Sequence, residues 1–208
     1  MTGNRIRARR TPQRGRRDVS ALVLAGGRGH RVGGRDKGLI RMHGDALAAR
    51  AVAMLRPHAA QVIVSANRHR SRYMNLADGV VADRIPGFAG PLAGIEAGLC
   101  AIRSPLLIIC PCDIGTLPRG LVARLIRTLR LHGSIDIAVV HDRDRRQPLL
   151  AAVRRRVAPQ LRAYLASGGR SAYGWLETLR VRDVHTQIRL ENHNVATPIP
   201  LAKPGNRD

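Results

Sequence analysis

The stretch that most constrains this chain runs from Leu24 to Gly38: Leu-Ala-Gly-Gly-Arg-Gly-His-Arg-Val-Gly-Gly-Arg-Asp-Lys-Gly. It follows a short apolar run, Val19 to Leu24, that predicts a buried strand. Glycine permits sharp turns and lets amide N–H groups approach a ligand with no Cβ in the way. Successive exposed N–H groups form a concavity suited to anions, and Arg31 and Lys37 add full positive charge. Strand, glycine loop and cations together predict a polyphosphate cradle at the carboxyl end of the first strand of an α/β sheet. The dinucleotide fingerprint G-x-G-x-x-G fails, because from Gly27 and Gly29 the third glycine position is Val32. The G-x-x-x-x-G-K-[ST] loop fails as well, because Gly38 follows Lys37.

Downstream, strand and helix patterns alternate. Asp45 to Leu55 predicts a helix and Gln61–Ala66 a β-branched strand; Asn67 to Asn75 suits a short helix, and Gly79–Ala82 a short strand that leads to Asp83. Leu92 to Arg103 fits a helix despite Gly94 and Gly98, whose small size allows close packing on a sheet. Leu106–Cys110 is continuously apolar, as strands buried on both faces are. Pro118 to Leu131 predicts an amphipathic helix and Ile135–Val140 a strand. Leu149–Val153 predicts an antiparallel strand at an edge. Val157–Ala166 and Ser171–Leu179 follow as helices and Val181–Val184 as a last strand. The expected fold is α/β, a Rossmann-like three-layer arrangement with a mostly parallel central sheet.

Ligands of such sheets bind outside the carboxyl ends of the strands, and three polar segments fall there. They are Ser65-Ala66-Asn67-Arg68-His69, Asp83 with the glycine- and proline-rich Pro86 to Gly94, and Cys110-Pro111-Cys112-Asp113. Asp113 follows the most apolar strand. Mg²⁺ prefers one or two carboxylates with phosphate oxygens and water, so Asp113 suits a metal bridging protein and nucleotide; the other reading is a cap for the helix near Pro118. Asp83 has two readings as well, a ligand contact and a strand-ending turn residue. A carboxylate accepts well from paired N–H donors.

Leu24 to Leu39 resembles, without a gap, the signature L-A-G-G-x-x-x-R-x-G-G-x-D-K-G-L of molybdenum cofactor guanylyltransferases. The pieces N-A-N-R-H, P-G-P-L-A-G and C-P-C-D of that family have counterparts here in the same order. The resemblance implies the fold of nucleotide-diphospho-sugar transferases. It also implies transfer of GMP from GTP to molybdenum-molybdopterin, with release of pyrophosphate. It implies GTP contacts at Leu24, Ala25, Gly26, Gly27, Lys37, Ser65, Asn67, Asp83 and Asp113, and Mg²⁺ on Asp113. Arg31, Lys37 and Asp113 would carry catalysis. Ser65 departs from the family, which often has Asn there, so its base or ribose contact competes with a serine that merely ends a strand. Asn192 and Asn194 resemble a family N-x-N motif, which implies contact with the second substrate or the nucleotide. His141-Asp142 with Arg145, Arg146, Gln147 and Pro148 resembles a further family stretch; a second anionic substrate and a charged hairpin fit it equally well. The alternatives are another nucleotidyltransferase of the same fold, acting with CTP or a sugar phosphate, and a non-catalytic polyanion-binding protein.

Net charge is +22, from 36 Lys and Arg against 14 Asp and Glu, which attracts polyanions without selecting one. Aromatic residues, on which single-stranded nucleic acid would stack, are nearly absent, so nucleic acid is not the expected partner. GTP and molybdenum-molybdopterin are, with molybdoenzymes and molybdenum insertion proteins downstream. Residues 1–18 read as a basic, disordered extension with Arg5, Arg7, Arg9, Arg10, Arg14, Arg16 and Arg17. Residues 19–198 read as a single nucleotidyltransferase domain and residues 199–208 as a loose tail. Three cysteines without a secretory signal indicate a reducing, cytoplasmic setting, and no apolar run reaches the length of a membrane span.

Overall fold

A computed structural model describes residues 17–26, 36–85 and 90–190. At its centre lies a seven-stranded sheet. In chain order its strands are β1 (Val19–Leu24), β4 (Gln61–Ser65), β5 (Gly79–Val81), β6 (Leu106–Pro111), β7 (Ile137–His141), β8 (Arg146–Arg154) and β9 (Val181–His185). The spatial order is β5-β4-β1-β6-β8-β7-β9. All run in one direction except β8, which is antiparallel to both β6 and β7. A two-stranded ribbon, β2 (Arg41–Met42) and β3 (Asp45–Ala46), stands apart.

Both faces of the sheet are covered, which is why β1 and β6 are apolar at almost every position. Val19, Ala21 and Val23 point to one face, where they pack with α1 (Leu47–Leu55), Tyr73 of α2 (Arg70–Met74) and α4 (Leu121–Leu131). Leu22, Leu107 and Ile109 point to the other, against α3 (Pro91–Ala101), α5 (Ala158–Ala166) and α6 (Ala172–Glu177). This is the expected three-layer, mostly parallel architecture. The glycines of α3 do press it onto the sheet: a Cβ on Gly98 would lie 2.7 Å from Leu22 Cδ2, and one on Gly94 would lie 2.3 Å from Ser65 Oγ.

Two expectations change. The antiparallel strand does not lie at an edge; it is inserted between β6 and β7 and begins three residues earlier, at Arg146. An interior place suits its buried run Leu150 to Val153; the edge belongs to the shorter, half-exposed β9. The first helix starts at Leu47 rather than Asp45, because Arg41 to Ala46 forms the ribbon around a turn at His43 and Gly44, both with positive φ (52° and 90°). Two positive φ values in sequence are the signature of a tight hairpin. The remaining helices and strands fall within a few residues of expectation. Residues 1–16 of the expected extension 1–18, residues 27–35 and 86–89, and residues 191–208, the expected tail among them, lie outside the described residues.

Candidate functional site

The carboxyl ends of β5, β4, β1 and β6 lie side by side, and the chain leaves each of them still hydrogen-bonded to its neighbour. Ala25 N–H donates to Ser65 O at 2.9 Å, Ala66 N–H to Val81 O at 2.9 Å, and Cys112 N–H to Leu24 O at 3.0 Å. These bonds extend the parallel ladder by one residue, so Gly26, Asn67, Asp83 and Asp113 emerge on one edge from rigid backbone.

Two polar pairs form there. Lys37 donates through Nζ to Asp113 Oδ2. Lys37 heads a single 3₁₀ turn, Lys37–Leu39, and its stem brings the ammonium to the residue that ends the β6 segment. Asp113 is only 9% exposed. The second pair joins Asn67 and Asp83. Asn67 Nδ2 donates to Asp83 Oδ2 at 2.8 Å, and the Asp83 N–H donates to Asn67 Oδ1 at 2.9 Å. Burial pushes the Asp83 carboxyl above the ordinary range, and the Asn67 hydrogen bond partly offsets this. The reciprocal pairing fixes the plane of the carboxylate.

Of the residues expected to act together, Lys37 and Asp113 are in contact, and Asn67 and Asp83 are in contact. Leu24 and Ala25 supply the backbone that launches the glycine loop, and Gly26 is exposed at its start. Ser65 is buried, 2% exposed, with its Oγ under Gly94, and its carbonyl holds Ala25. It supports the edge from below. Gly27, Arg31, Asn192 and Asn194 lie outside the described residues.

A single carboxylate at the mouth is a hard oxygen donor of the kind Mg²⁺ takes alongside phosphate oxygens. Among the described residues no group of three or more metal-ligating side chains gathers, so Asp113 fits an ion that arrives with a nucleotide and not one held in an all-protein cage. Cys110 and Cys112 beside it are free and buried. Burial drives both thiols upward, Cys112 to about 12. They stay protonated, as packing residues do.

A hollow opens next to Asp113, lined by Pro111 and Ile114 from its own segment, Arg145 from the β7–β8 connection, Gln147 and Pro148 from the start of β8, and Tyr173 from α6. Its wall is the His141 to Pro148 stretch. Within it Asp142 is the keystone of the turn: Oδ1 accepts from Asp144 N–H (3.1 Å) and Arg145 N–H (3.0 Å), and Oδ2 from Gln147 Nε2 (2.8 Å). Burial pushes Asp142 upward, but these bonds outweigh it and leave the group below its ordinary range. Asp142 therefore shapes the hairpin, while Arg145 and Gln147 face the hollow. Sequence reasoning gave no role to Asp36 or Tyr73, which also meet at this edge. Tyr73 Oη donates to Asp36 Oδ1, and His69 Nδ1 lies 3.0 Å from Asp36 Oδ2. The only sequence signal was that Asp36 and His69 fall inside the two quoted motifs.

Known proteins resemble this chain throughout the described core. The family model for the MobA-like NTP transferase domain matches residues 21–183. A molybdenum cofactor guanylyltransferase of Cupriavidus necator is 39% identical over 173 residues, covering 81% of this chain and 87% of the relative. One from Shewanella amazonensis is 34% identical over 157 residues, covering 76% and 80%. The crystal structure of molybdopterin-guanine dinucleotide biosynthesis protein A from Archaeoglobus fulgidus superposes with a TM-score of 0.65 at 23% identity, covering 80% of this chain and 83% of that one.

Proposed function

The chain belongs to the MobA-like NTP transferase family, among the molybdenum cofactor guanylyltransferases, and on that footing we propose how its own residues carry the reaction. The enzyme transfers GMP from GTP to molybdenum-molybdopterin and releases pyrophosphate. A phosphate oxygen of molybdopterin attacks the α-phosphorus of GTP; the bond from that phosphorus to the bridging oxygen of the β-phosphate breaks, and its electron pair leaves with pyrophosphate.

Such a transfer asks mainly for alignment and charge neutralisation. The acceptor is already an anion, so no strong base is required. The observation that carries the assignment is the Lys37–Asp113 contact at the carboxyl edge, beside Gly26. Lys37 stabilises charge on the α-phosphate and the leaving group. Asp113 would hold Mg²⁺, which would neutralise charge on the triphosphate. The backbone of Leu24 to Gly27 cradles the phosphates with help from Arg31. The Asn67–Asp83 pair presents a fixed carboxylate to the N1–H and exocyclic amine of guanine, and Ser65 underlies that contact. The hollow beside Asp113 receives molybdopterin: apolar Pro111, Ile114 and Pro148 suit the pterin rings, and Arg145 suits the phosphate. Asn192 and Asn194 are assigned to the same substrate from the motif alone. The product passes to molybdoenzymes and molybdenum insertion proteins. Free thiols fit the cytoplasm. Among the described residues no helix is long and apolar enough to cross a membrane.

Incubation with α-labelled GTP, Mg²⁺ and molybdenum-loaded molybdopterin tests the reading. Label should appear in a molybdopterin dinucleotide from GTP and not from CTP. Transfer from CTP alone would assign a cytidylyl activity instead.

A further inference from the structure

Lys37 sits at the end of a flexible four-carbon stem, so its ammonium is placed only as well as the turn that carries it. We propose that Asp36, anchored by Tyr73 and His69, is the positioning residue that fixes the Lys37 turn and ties it to the segment that grips Asp83. The inference rests on the catalytic role given to Lys37 above; the anchoring itself does not.

Asp36 occupies the position before the 3₁₀ turn Lys37–Leu39 and has extended backbone (φ −74°, ψ 107°), yet its side chain makes no capping bond. A carboxylate in that place ordinarily accepts from an amide two or three residues on. Here both oxygens turn away, one to Tyr73 Oη and the other to His69 Nδ1 at 3.0 Å. The carboxylate is nearly buried, 8% exposed. Tyr73 is fully buried. Burial first, and then its hydrogen bond to Asp36, hold its phenol far above the ordinary range. It therefore remains an O–H donor at any pH at which the protein works.

The turn is also wedged on its far side. A Cβ on Gly38 would lie 2.4 Å from Tyr73 Oη and 2.9 Å from Ala25 Cβ. Gly38 thus lies flat between the phenol and the residue that launches the phosphate loop. Lys37 stands between one residue that is bonded and one that is clamped. His69 completes the link. It has a left-handed backbone, φ 48°, which is uncommon outside glycine and marks a constrained position. That turn lets one short segment hold Asp83 through Asn67 and Asp36 through His69. Guanine contact and phosphate contact therefore share a single rigid support.

The test uses the full chain and two variants, Tyr73→Phe and His69→Asn, with Arg127→Ala on the exposed face of α4 as control. Two quantities are read: the rate at which a small amine-acylating reagent modifies Lys37, followed by peptide mass spectrometry, and steady-state GMP transfer. Loosening the turn should raise Lys37 acylation about threefold or more and lower kcat about tenfold, with KM for GTP within about twofold, because a misplaced group costs most in the transition state. The control should change neither. Unchanged acylation of Lys37 in both variants overturns the proposal, as does faster acylation with undiminished kcat. If Tyr73→Phe does not fold, His69→Asn, whose ring is half-exposed, decides alone. Should the unmodified enzyme fail to transfer GMP, the functional reading falls, while the acylation rates still decide whether Asp36 is held by these two residues.

Discussion

The two ends of the central sheet carry similar charges and use them differently. At the amino end Asp136, just before β7, accepts from Arg180 Nε (2.9 Å), Arg180 N–H (3.2 Å) and Arg156 Nη2 (2.9 Å). These bonds, led by that of Arg180, overcome burial and hold its carboxyl at about 2. Arg154 and Arg156 spend further donors on the carbonyls of Ile135 and Gly133 that end the α4 connection. At the carboxyl end Asp113 meets only Lys37 among the partners described, and Asp83 is raised by burial rather than lowered. Saturated charges make a lock. Charges left with spare lone pairs make a site, because a ligand can still improve on what they have.

The contrast is sharpest where a charge is removed without changing shape. Asp113→Asn should cost on the order of 10²–10³ in kcat for GMP transfer, as loss of a preorganised charge does, with a melting temperature close to that of the parent. A comparable loss is expected for Lys37→Met. Asp83→Asn should raise KM for GTP about tenfold to a hundredfold and narrow the preference for GTP over ATP, since a carboxylate paired with guanine is replaced by an amide that must also donate. A competition assay with the two nucleotides reads this directly.

At the other end the signs reverse. Asp136→Asn should leave GMP transfer unchanged and lower stability by about 1 kcal/mol, the worth of charge-assisted bonds from two half-exposed arginines to a buried carboxylate. The effect has a pH signature. The folded pKa is depressed from 3.8 to about 2, so the stabilisation is complete above about pH 4 and is lost as pH falls toward 2. Denaturant midpoints measured between pH 7 and 2 should fall more steeply in that window for the parent than for the variant. A variant that lost activity but not stability would erase the distinction between the two ends.

The carboxyl edge proposed above to hold the nucleotide was legible as an edge because its signals are local. Val19 to Leu24 and Leu106 to Cys110 announce doubly covered strands by composition alone, and the glycine-rich run and the Cys-Pro-Cys-Asp segment sit where those strands must end. The place of β8 was not legible, since an antiparallel strand can pair at an edge or inside and only its neighbours decide. Asp36 escaped for a similar reason. Nothing beside it in the sequence marks its partners; Tyr73 of α2 and His69 just before that helix reach it only in the fold. Asp142 looked equally like a ligand residue and a hairpin residue until the amides of Asp144 and Arg145 claimed its oxygen.

The reversed strand β8 has a consequence for how such an enzyme can diversify. Its first residues help wall the hollow beside Asp113, its last residues belong to the lock, and between them runs a buried rod, Leu150 to Val153. The turn before it, Asp142 to Arg145, makes no described hydrogen bond to the Asn67–Asp83 pair. Its exposed side chains, Arg143 and Asp144, can be exchanged while Asp142 and the rod hold the backbone. On the assignment proposed above, choice of acceptor is thereby free to drift while choice of nucleotide stays put.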